Sequence, residues 1–415
     1  MRVASLLATA AAVVPALAVN LPLSSSSRWI LDADGARVKL TCINWSGHLE
    51  SNLPEGLNKQ SIDTIASFVA DQGFNCVRLT YSIDYALNPT MKISDAIANA
   101  ATATGFDTAT WDSIYNDIKT YNSFAEDGTL QDAYSAVIAS LWSKGVMTIL
   151  DNHVSKASWC CDLDDGNGWW DEAHGYIAAN SRYFNTQNWY DGLSAMATWS
   201  NSQAGVIGMS LRNEIREFPI LQNTGSGSGD WAMYVTEAAK LVHAANPDLL
   251  VVIGGTASAT VLTQIESGGM IDWSEWAGKH VWEWHAYEFT VTFALTKSDC
   301  GAQKDAYGLF DGFVLKQDED YTAPLILSEF GFAQAGGDNS GVSDDDWAYF
   351  TCLKEYMLDN DSEWAIWTLQ GSYYHREGTI DHDEGFGVLN HDWTGLRNPE
   401  LPTILGDMFN ATQGP

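Results

Sequence analysis

The feature that most constrains the fold of this chain is a series of short apolar runs, spaced along its length and separated by amphipathic segments. Eight runs are rich in β-branched and aromatic residues: 38–45, 76–81, 147–153, 206–214, 249–255, 280–287, 324–331 and 364–371. Nearly all are continuously apolar rather than alternating, which is typical of strands buried on both faces of a parallel sheet. We therefore expect about eight parallel strands.

Helical patterns lie between these runs, at residues 61–73, 130–145, 188–199, 231–245 and 345–358. Strand and helix alternate through the chain, which predicts the α/β class, and about eight repeats favour a closed (β/α)8 TIM barrel with elaborated βα loops over an open sheet. Residues 29–38 carry a turn signal between apolar stretches and predict an N-terminal β-hairpin that caps the barrel floor. The Gly- and Ser-rich segment 221–230 is expected to be a mobile loop above the barrel.

The N terminus has the composition of a secretion signal. Arg2 is followed by an apolar run at 4–17, and small residues at Ala16 and Ala18 mark a cleavage point. This predicts a signal peptide over 1–18 and a secreted, extracellular mature protein. Residues 19–415 are expected to form a single catalytic domain, because no long linker interrupts them. No later run reaches the roughly 18 uninterrupted apolar residues of a membrane helix.

The charge balance excludes some classes of partner. The chain has 21 basic and 53 acidic residues, a net charge of −32. This charge repels phosphate backbones and anionic lipid surfaces, so we expect neither nucleic acid nor a membrane as partner. We expect the protein to be a monomer.

Six cysteines form an even set, which in an oxidising compartment allows between one and three disulfides whose pairing the sequence leaves open. The adjacent Cys160 and Cys161 are not expected to bond to each other. Cys42 and Cys76 lie in strand-like runs and are candidates for buried thiols. Three glycosylation sequons occur, at Asn44, Asn360 and Asn410. Asn360 and Asn410 are the better glycan candidates, because Asn44 lies in an apolar strand.

Polar residues that end the apolar runs should mark the active site, since barrel enzymes bind substrate at the C-terminal ends of their strands. The set comprises Asn44, Trp45, Arg78, Asn152, His153, Asn213, Glu214, His285, Tyr287, Glu329, Trp367 and Gln370. Glu214 and Glu329 stand out because each closes an apolar strand. Paired carboxylates suit glycoside cleavage, in which one gives a proton to the leaving oxygen and the other attacks the anomeric carbon. A salt-bridged strand end would explain either glutamate alone but not the whole set.

The order of these residues resembles glycoside hydrolase family 5, the cellulase-like family, over essentially the whole mature chain. Family members carry an Arg after strand two, a His after strand three, Asn-Glu after strand four, His-x-Tyr after strand six, a Glu after strand seven and a Trp after strand eight. The matching positions are Arg78, His153, Asn213 with Glu214, His285 with Tyr287, Glu329, and Trp367. The resemblance implies a retaining double displacement on a carbohydrate substrate without a cofactor. Glu214 would be the acid/base and Glu329 the nucleophile, about 5 Å apart.

Supporting roles follow from charge and hydrogen bonding. Asn213 is expected to donate to the sugar 2-hydroxyl. Arg78 and Tyr287 are expected to keep Glu329 ionised, the first by opposite charge and the second as a hydroxyl donor. Trp367 is expected to form the floor of the central subsite.

Further binding candidates have less specific roles. His153 and His285 are expected to bind sugar hydroxyls or orient the carboxylates, and Trp45 and Asn152 are further candidates at strand ends. The chain has 18 Trp, and sugars stack on aromatic faces. Residues that could line a cleft are Trp45, Trp159, Trp169, Trp170, Trp282, Trp284 and Tyr373.

The substrate is less constrained than the chemistry. Ile215 follows Glu214 where most family members have Pro, and residues 159–161 and 165–170 look like a plant and fungal cellulase-like branch. The resemblance implies an O-glycoside hydrolase, β-1,4-glucanase-like, that acts on a β-linked glucan or a related glycan. An exo-acting β-glycosidase and a transglycosylase of the same fold are the alternatives. The segment 159–170 either walls off one end of the site or extends a cleft.

Two other classes of protein share some of these features. A metal-dependent barrel hydrolase would draw on His153, His285, His375, His382 and Asp381, but the first strand lacks the His-x-His pair typical of such enzymes. We therefore expect no metal. A non-catalytic carbohydrate-binding barrel would be expected to lack one of the two carboxylates, and both are present. Residues 381–384 are interpreted as a solvated acidic loop rather than a cation site.

Overall fold

The computed structural model describes residues 19–174, 176–217, 226–266, 268–290 and 299–415. The predicted signal peptide at 1–18 lies outside them. Eight parallel strands close into a barrel in which β10 returns to pair with β3. They are β3 (Thr41–Trp45), β4 (Cys76–Ser82), β5 (Met147–Val154), β6 (Val206–Ser210), β7 (Leu250–Gly254), β8 (His280–Ala286), β9 (Leu325–Phe330) and β10 (Glu363–Ile366). The predicted (β/α)8 barrel is confirmed, and each strand falls on one of the eight apolar runs.

The pairing register brings the polar strand ends together. Asn44 on β3 is opposite Arg78 on β4, and His285 on β8 is opposite Glu329 on β9. Because parallel strands all point the same way, the side chains that end them gather at one mouth of the barrel.

Helices cover the outside of the barrel. They are α1 (Ile62–Asp71), α2 (Ile83–Leu87), α3 (Ile93–Thr104), α4 (Thr108–Tyr121), α5 (Leu130–Ser143), α6 (Ala178–Ser181), α7 (Thr186–Ser200), α8 (Ser226–Ala245), α9 (Thr256–Ala259), α10 (Cys300–Phe310), α11 (Asp344–Asn360) and α12 (Leu401–Leu405). All five predicted helices are present, and side-chain caps explain several starts, such as the reciprocal capping box of Thr129 and Asp132 at α5. In addition, α3 and α4 elaborate the connection after β4.

The predicted loop at 221–230 is partly wrong. Its second half is helical, because α8 begins at Ser226, and residues 221–225 lie outside the described residues. Among the described residues, none of the helices is both long enough and apolar enough to cross a membrane.

An antiparallel hairpin precedes the barrel, as predicted. It joins β1 (Ser24–Ser26) to β2 (Trp29–Leu31), and a further bridge from Leu31 to Arg37 continues it. Its first strand lies before the segment in which the sequence predicted the hairpin. Ile30 and Val38 pack with residues at the starts of the barrel strands, including Met147, so this N-terminal region closes the barrel floor.

Both expectations about individual cysteines are wrong. Cys42 and Cys76 form a disulfide rather than staying thiols, because the neighbouring strands β3 and β4 bring their Cα atoms to 4.3 Å. Cys160 and Cys161 are also disulfide-bonded to each other, with both sulfur atoms turned toward Asn213. The third disulfide joins α10 to α11.

Asn44 is fully buried and donates to the backbone oxygen of Ser328 at 2.9 Å, so a glycan does not fit there. Asn410 is exposed.

Candidate active site

A pocket of about 270 Å³ opens at the C-terminal end of the barrel. Its lining is His153, Trp159, Cys160, Cys161, Asn213, Glu214, Tyr287, Phe289, Glu329, Trp367, Arg376, Glu384 and Phe386. Six of the twelve residues predicted from strand ends are in this lining, and Arg78 and His285 lie directly behind it in contact with Glu329. The structure therefore brings together residues from five barrel strands or the loops that follow them.

The two carboxylates face each other across the pocket. Glu329, on β9, accepts a hydrogen bond from Arg78 at 2.9 Å on one oxygen and from the hydroxyl of Tyr287 at 2.9 Å on the other. Glu214 lies just beyond β6, and its Oε1 is 3.1 Å from Nδ1 of His285. An oxygen of Glu214, an oxygen of Glu329 and a ring nitrogen of His285 all lie within 4.8 Å of one another. At this separation the two carboxylates can act from opposite sides on one bond placed between them.

Their surroundings favour different protonation states. Burial raises the pKa of Glu214 to about 7, with Arg216 opposing the shift. Burial also raises the pKa of Glu329, but His285 and Arg78 act against it. Since Glu329 has two strong donors on its oxygens, we expect Glu214 to hold a proton at pH values where Glu329 is ionised.

Arg78 is the central cation of the site and is fully buried. Its Nη1 donates to Asn44 at 3.0 Å and to Glu329 at 2.9 Å. Its Nη2 donates to Asp151 at 2.9 Å and to Asn213 at 2.8 Å. Because Arg78 binds the amide oxygen of Asn213, the amide nitrogen points away from Arg78 and lies 3.3 Å from Nε2 of His153 and 3.5 Å from Sγ of Cys160, two residues of the pocket lining.

Two buried acids of this network were missed from the sequence. Asp151 is 2.6 Å from Nδ1 of His153, and Glu283 accepts from the hydroxyl of Ser210 at 3.0 Å and lies 3.6 Å from Arg78. Burial raises the pKa of Glu283 to about 7. Asp151 and Glu283 could have been predicted from the sequence, because each is a charged residue inside a continuously apolar run.

The histidines are buried, and burial lowers their pKa. The pKa of His285 falls to about 4, so its ring is neutral at the pH where the carboxylates act. His153 stacks on Trp367 with 5.5 Å between ring centroids and an interplanar angle of 19°. This contact orients Trp367, the expected floor of the central subsite.

Two predicted binding residues lie outside the pocket lining. Trp45 is buried and donates through its indole nitrogen to the backbone oxygen of Glu55. Asn152 is buried, donates to the backbone of Val154 and accepts from Arg212. Of the other aromatic candidates, Trp159 lines the pocket, whereas the following four are in the core: Trp169, Trp170, Trp282 and Trp284.

The loop after β5 is attached to the segment beyond β6 that carries Glu214. Arg216 forms an ion pair with Asp165 of this loop and donates to the backbone oxygen of Glu214 at 2.7 Å. The loop places Trp159, Cys160 and Cys161 in the pocket. No local sequence pattern indicates where these residues lie relative to Glu214.

Residues 381–384 are not a solvated loop. Most of them form β12 (Thr379–Asp383), which pairs with β11 (Ser372–Arg376). Asp381 pairs with Lys59, Asp383 with Arg397, and Glu384 with Arg376. Within the described part of the chain, the groups of side chains close enough to share a metal ion are Cys160–Cys161–Glu214 and Glu214–His285–Glu329, and neither includes Asp381, His375 or His382.

Comparison with known proteins agrees with this geometry. Residues 31–372 match the family model described as cellulase (glycosyl hydrolase family 5). A glycosyl hydrolase 5 family protein of Chamaecyparis obtusa is 38% identical over 403 residues, which cover 95% of this chain and 67% of that protein. An endoglucanase of Paenibacillus polymyxa is 22% identical, over 92% of this chain and 87% of its own.

Solved structures share the fold. The catalytic domain of the major endoglucanase from Xanthomonas campestris pv. campestris has a TM-score of 0.69 at 19% identity, covering 93% of this chain and 99% of that one. A cellotetraose complex of an endocellulase from Pyrococcus horikoshii has a TM-score of 0.70 at 17% identity, covering 94% and 99%. At these identities the likeness concerns the fold alone.

Proposed function

Because the chain belongs to the cellulase family, glycosyl hydrolase family 5, we propose that it hydrolyses a β-linked glucan by double displacement with retention of anomeric configuration. The observation that carries this proposal is the carboxylate pair of Glu214 and Glu329, whose nearest oxygens lie within 4.8 Å of each other. Retaining enzymes have carboxyl groups roughly 5–5.5 Å apart, whereas inverting enzymes separate them by about 6.5–9.5 Å to admit a water molecule.

In the first step Glu329 attacks the anomeric carbon and Glu214 protonates the leaving oxygen. The glycosidic bond breaks as the bond from Glu329 to the anomeric carbon forms. Arg78 and Tyr287 keep the attacking carboxylate ionised and aligned. The pKa of about 7 suits Glu214 to donate a proton in mildly acidic solution.

In the second step Glu214, now ionised, takes a proton from a water molecule. The water oxygen bonds to the anomeric carbon and Glu329 leaves, so the configuration is inverted twice and retained overall. Asn213 donates to the sugar 2-hydroxyl in both transition states, and Arg78 holds its amide in the required orientation. If a sugar hydroxyl replaces the water, the same intermediate gives transglycosylation.

A β-1,4-linked glucan is the proposed substrate. Support comes from the relatives described as endoglucanase or endocellulase, one of them in complex with cellotetraose. The lining is mainly neutral and aromatic around the carboxylates, with Trp367 stacked flat on His153. Such a lining suits the apolar faces of uncharged sugars.

Secretion is part of the proposal. Its support is the basic and apolar character of residues 1–18 and the small residues at 16 and 18, together with three disulfides. Expression of the full sequence in a eukaryotic host should yield protein in the medium. N-terminal sequencing should then find Val19 first, and an intact N terminus inside the cell would contradict secretion.

The proposed function is tested by hydrolysis of a panel of β-glucans, mannan, xylan and aryl β-glycosides. The wild type should cleave a β-glucan, and NMR should show the β-anomer as the first product. Glu329→Gln removes the nucleophile and should lose on the order of three or more decades of kcat. Formation of the α-anomer first would refute double displacement.

Glu283→Gln is the matched control. Glu283 is also a buried glutamate beside Arg78, but it does not line the pocket. Since its pKa is about 7, glutamine imitates the protonated form that dominates in acidic solution. We expect Glu283→Gln to keep most of the activity, and equal losses in both variants would contradict the assignment of Glu329.

A further inference from the structure

Two segments from different barrel connections meet beside the pocket. Trp159 lies in the loop after β5, and the guanidinium carbon of Arg376, on β11, lies 3.5 Å from the centroid of its ring. Trp159 also packs edge-on against Tyr373, with 5.6 Å between the ring centroids. We call Trp159, Tyr373, Arg376 and Glu384 the bridge.

The bridge is held by buried hydrogen bonds. Glu384 is only 4% exposed and accepts from Arg376 at 3.0 Å and from the hydroxyl of Tyr373 at 2.5 Å. Its other oxygen accepts from the backbone of Phe386 at 2.9 Å. A buried carboxylate with three donors, one of them Arg376, fixes the guanidinium over the indole ring, where cation and aromatic face attract each other.

The position of the bridge relative to the carboxylates shows which part of the substrate it meets. The ring of Trp159 packs edge-on against Trp367 at 6.4 Å between centroids, and Trp367 is the expected floor under the sugar that Glu329 attacks. Phe289 also lines the pocket, but it is 69% exposed and stacks on Tyr287 rather than on the bridge. The bridge therefore lies beside Trp367, next to the position of the attacked sugar.

We propose that the enzyme acts on chain ends and releases short products from the non-reducing end of its substrate. A polymer bound through its interior would have to continue past the attacked sugar through the place that Trp159 and Arg376 occupy. A non-reducing end needs no such passage. This inference rests on the proposed function, and it differs from the internal cleavage that the word endoglucanase describes.

Arg376 also supplies a group that can recognise a chain end. Arg376 lines the pocket; its Nη1 donates to Glu384, and its Nη2 lies 3.2 Å from Glu377. A guanidinium has five N–H donors, so it can bind a further acceptor beside these two. A terminal sugar carries a free hydroxyl where an internal sugar carries a glycosidic oxygen and a further ring, so Arg376 would bind the terminal unit and exclude a longer chain.

The test follows how a soluble β-glucan and a reducing-end-labelled cello-oligosaccharide are shortened. For the wild type we expect only a small fall in the viscosity of the β-glucan for each reducing end that is formed, because removal of short products leaves the polymer long. The labelled oligosaccharide should shorten stepwise from its unlabelled end. In the double variant Trp159→Ala with Arg376→Ala, viscosity loss for each reducing end should rise several-fold, and labelled fragments of all lengths should appear together.

Arg182→Ala is the control variant, because Arg182 lies over the ring of Tyr183 in the same loop at 4.9 Å but does not line the pocket. It should keep the wild-type product pattern. An immediate fall in viscosity with the wild type, or a stepwise pattern unchanged in the double variant, would overturn the inference while leaving the hydrolase proposal intact. A wild type inactive on every glucan would refute the proposed function itself. The wild-type pattern alone decides the matter if the double variant does not fold.

Discussion

Arg78→Lys is the substitution that most directly tests how the nucleophile is kept ionised. Arg78 makes four hydrogen bonds through two nitrogens, to Asn44, Glu329, Asp151 and Asn213, at 2.8–3.0 Å. Lysine keeps the positive charge but presents it as one point on a shorter stem. The lysine ammonium can contact only some of these four acceptors. The substitution therefore distinguishes the effect of the positive charge from the effect of the two-pronged guanidinium geometry.

The expected magnitude follows from distance. In a medium of effective dielectric constant about 20, two unit charges attract by about 6 kcal/mol at 2.9 Å, the present separation of Arg78 and Glu329, and by about 3 kcal/mol at about 5 Å. If the lysine ammonium binds Asp151 and stays about 5 Å from Glu329, the carboxylate loses about 2–3 kcal/mol of stabilisation. The pKa of Glu329 should therefore rise in Arg78→Lys.

The assay is the pH dependence of kcat/KM on an aryl β-glycoside. In acidic solution kcat/KM rises with pH as Glu329 becomes ionised, and this rise should move to higher pH in Arg78→Lys. The maximum value of kcat/KM should also fall, because Asn213 is no longer held. Arg212→Lys is the control, since Arg212 is equally buried but binds Asn152 and the backbone of Asn167 instead. If Arg78→Lys folds and its kcat/KM rises over the same acidic pH range as that of the wild type, this account of Glu329 is refuted.

Three other outcomes are expected. In the wild type, kcat/KM should fall as the pH rises through about 7, because Glu214 must be protonated; a profile that stays flat well above that pH would contradict its role as the acid. Tyr287→Phe removes a 2.9 Å hydrogen bond to Glu329 and should lower kcat by about 10-fold to 100-fold, from about 1.5–3 kcal/mol for a bond to a charged group; steady-state kinetics measure it, and an unchanged kcat would show that this donor is dispensable. Replacing Cys42 and Cys76 together by Ala should lower the free energy of unfolding by about 4 kcal/mol, since the disulfide spans 34 residues. Denaturant titration measures this loss, and a value near zero would count against the pairing.

The barrel and the centre of the site could be predicted from local patterns. Continuous apolar runs mark strands that are buried on both faces, and eight of them close a barrel. Glu214 and Glu329 were predicted because a charged residue that ends such a run stands out against its neighbours. Asp151 and Glu283 were not predicted, although each is a charged residue inside an apolar run, since only the closed barrel brings both acids close to Arg78.

Local sequence patterns were enough to predict the eight strands, five of the helices and the polar residues that gather at one end of the barrel. These follow from the periodicity of side chains along single elements and from the common direction of parallel strands. Tertiary structure decided that Cys42 bonds to Cys76, that Trp45 belongs to the core, and that Trp159 meets Arg376. Such contacts join segments far apart in the chain, and their distances depend on how the loops pack over the barrel, which no local pattern encodes.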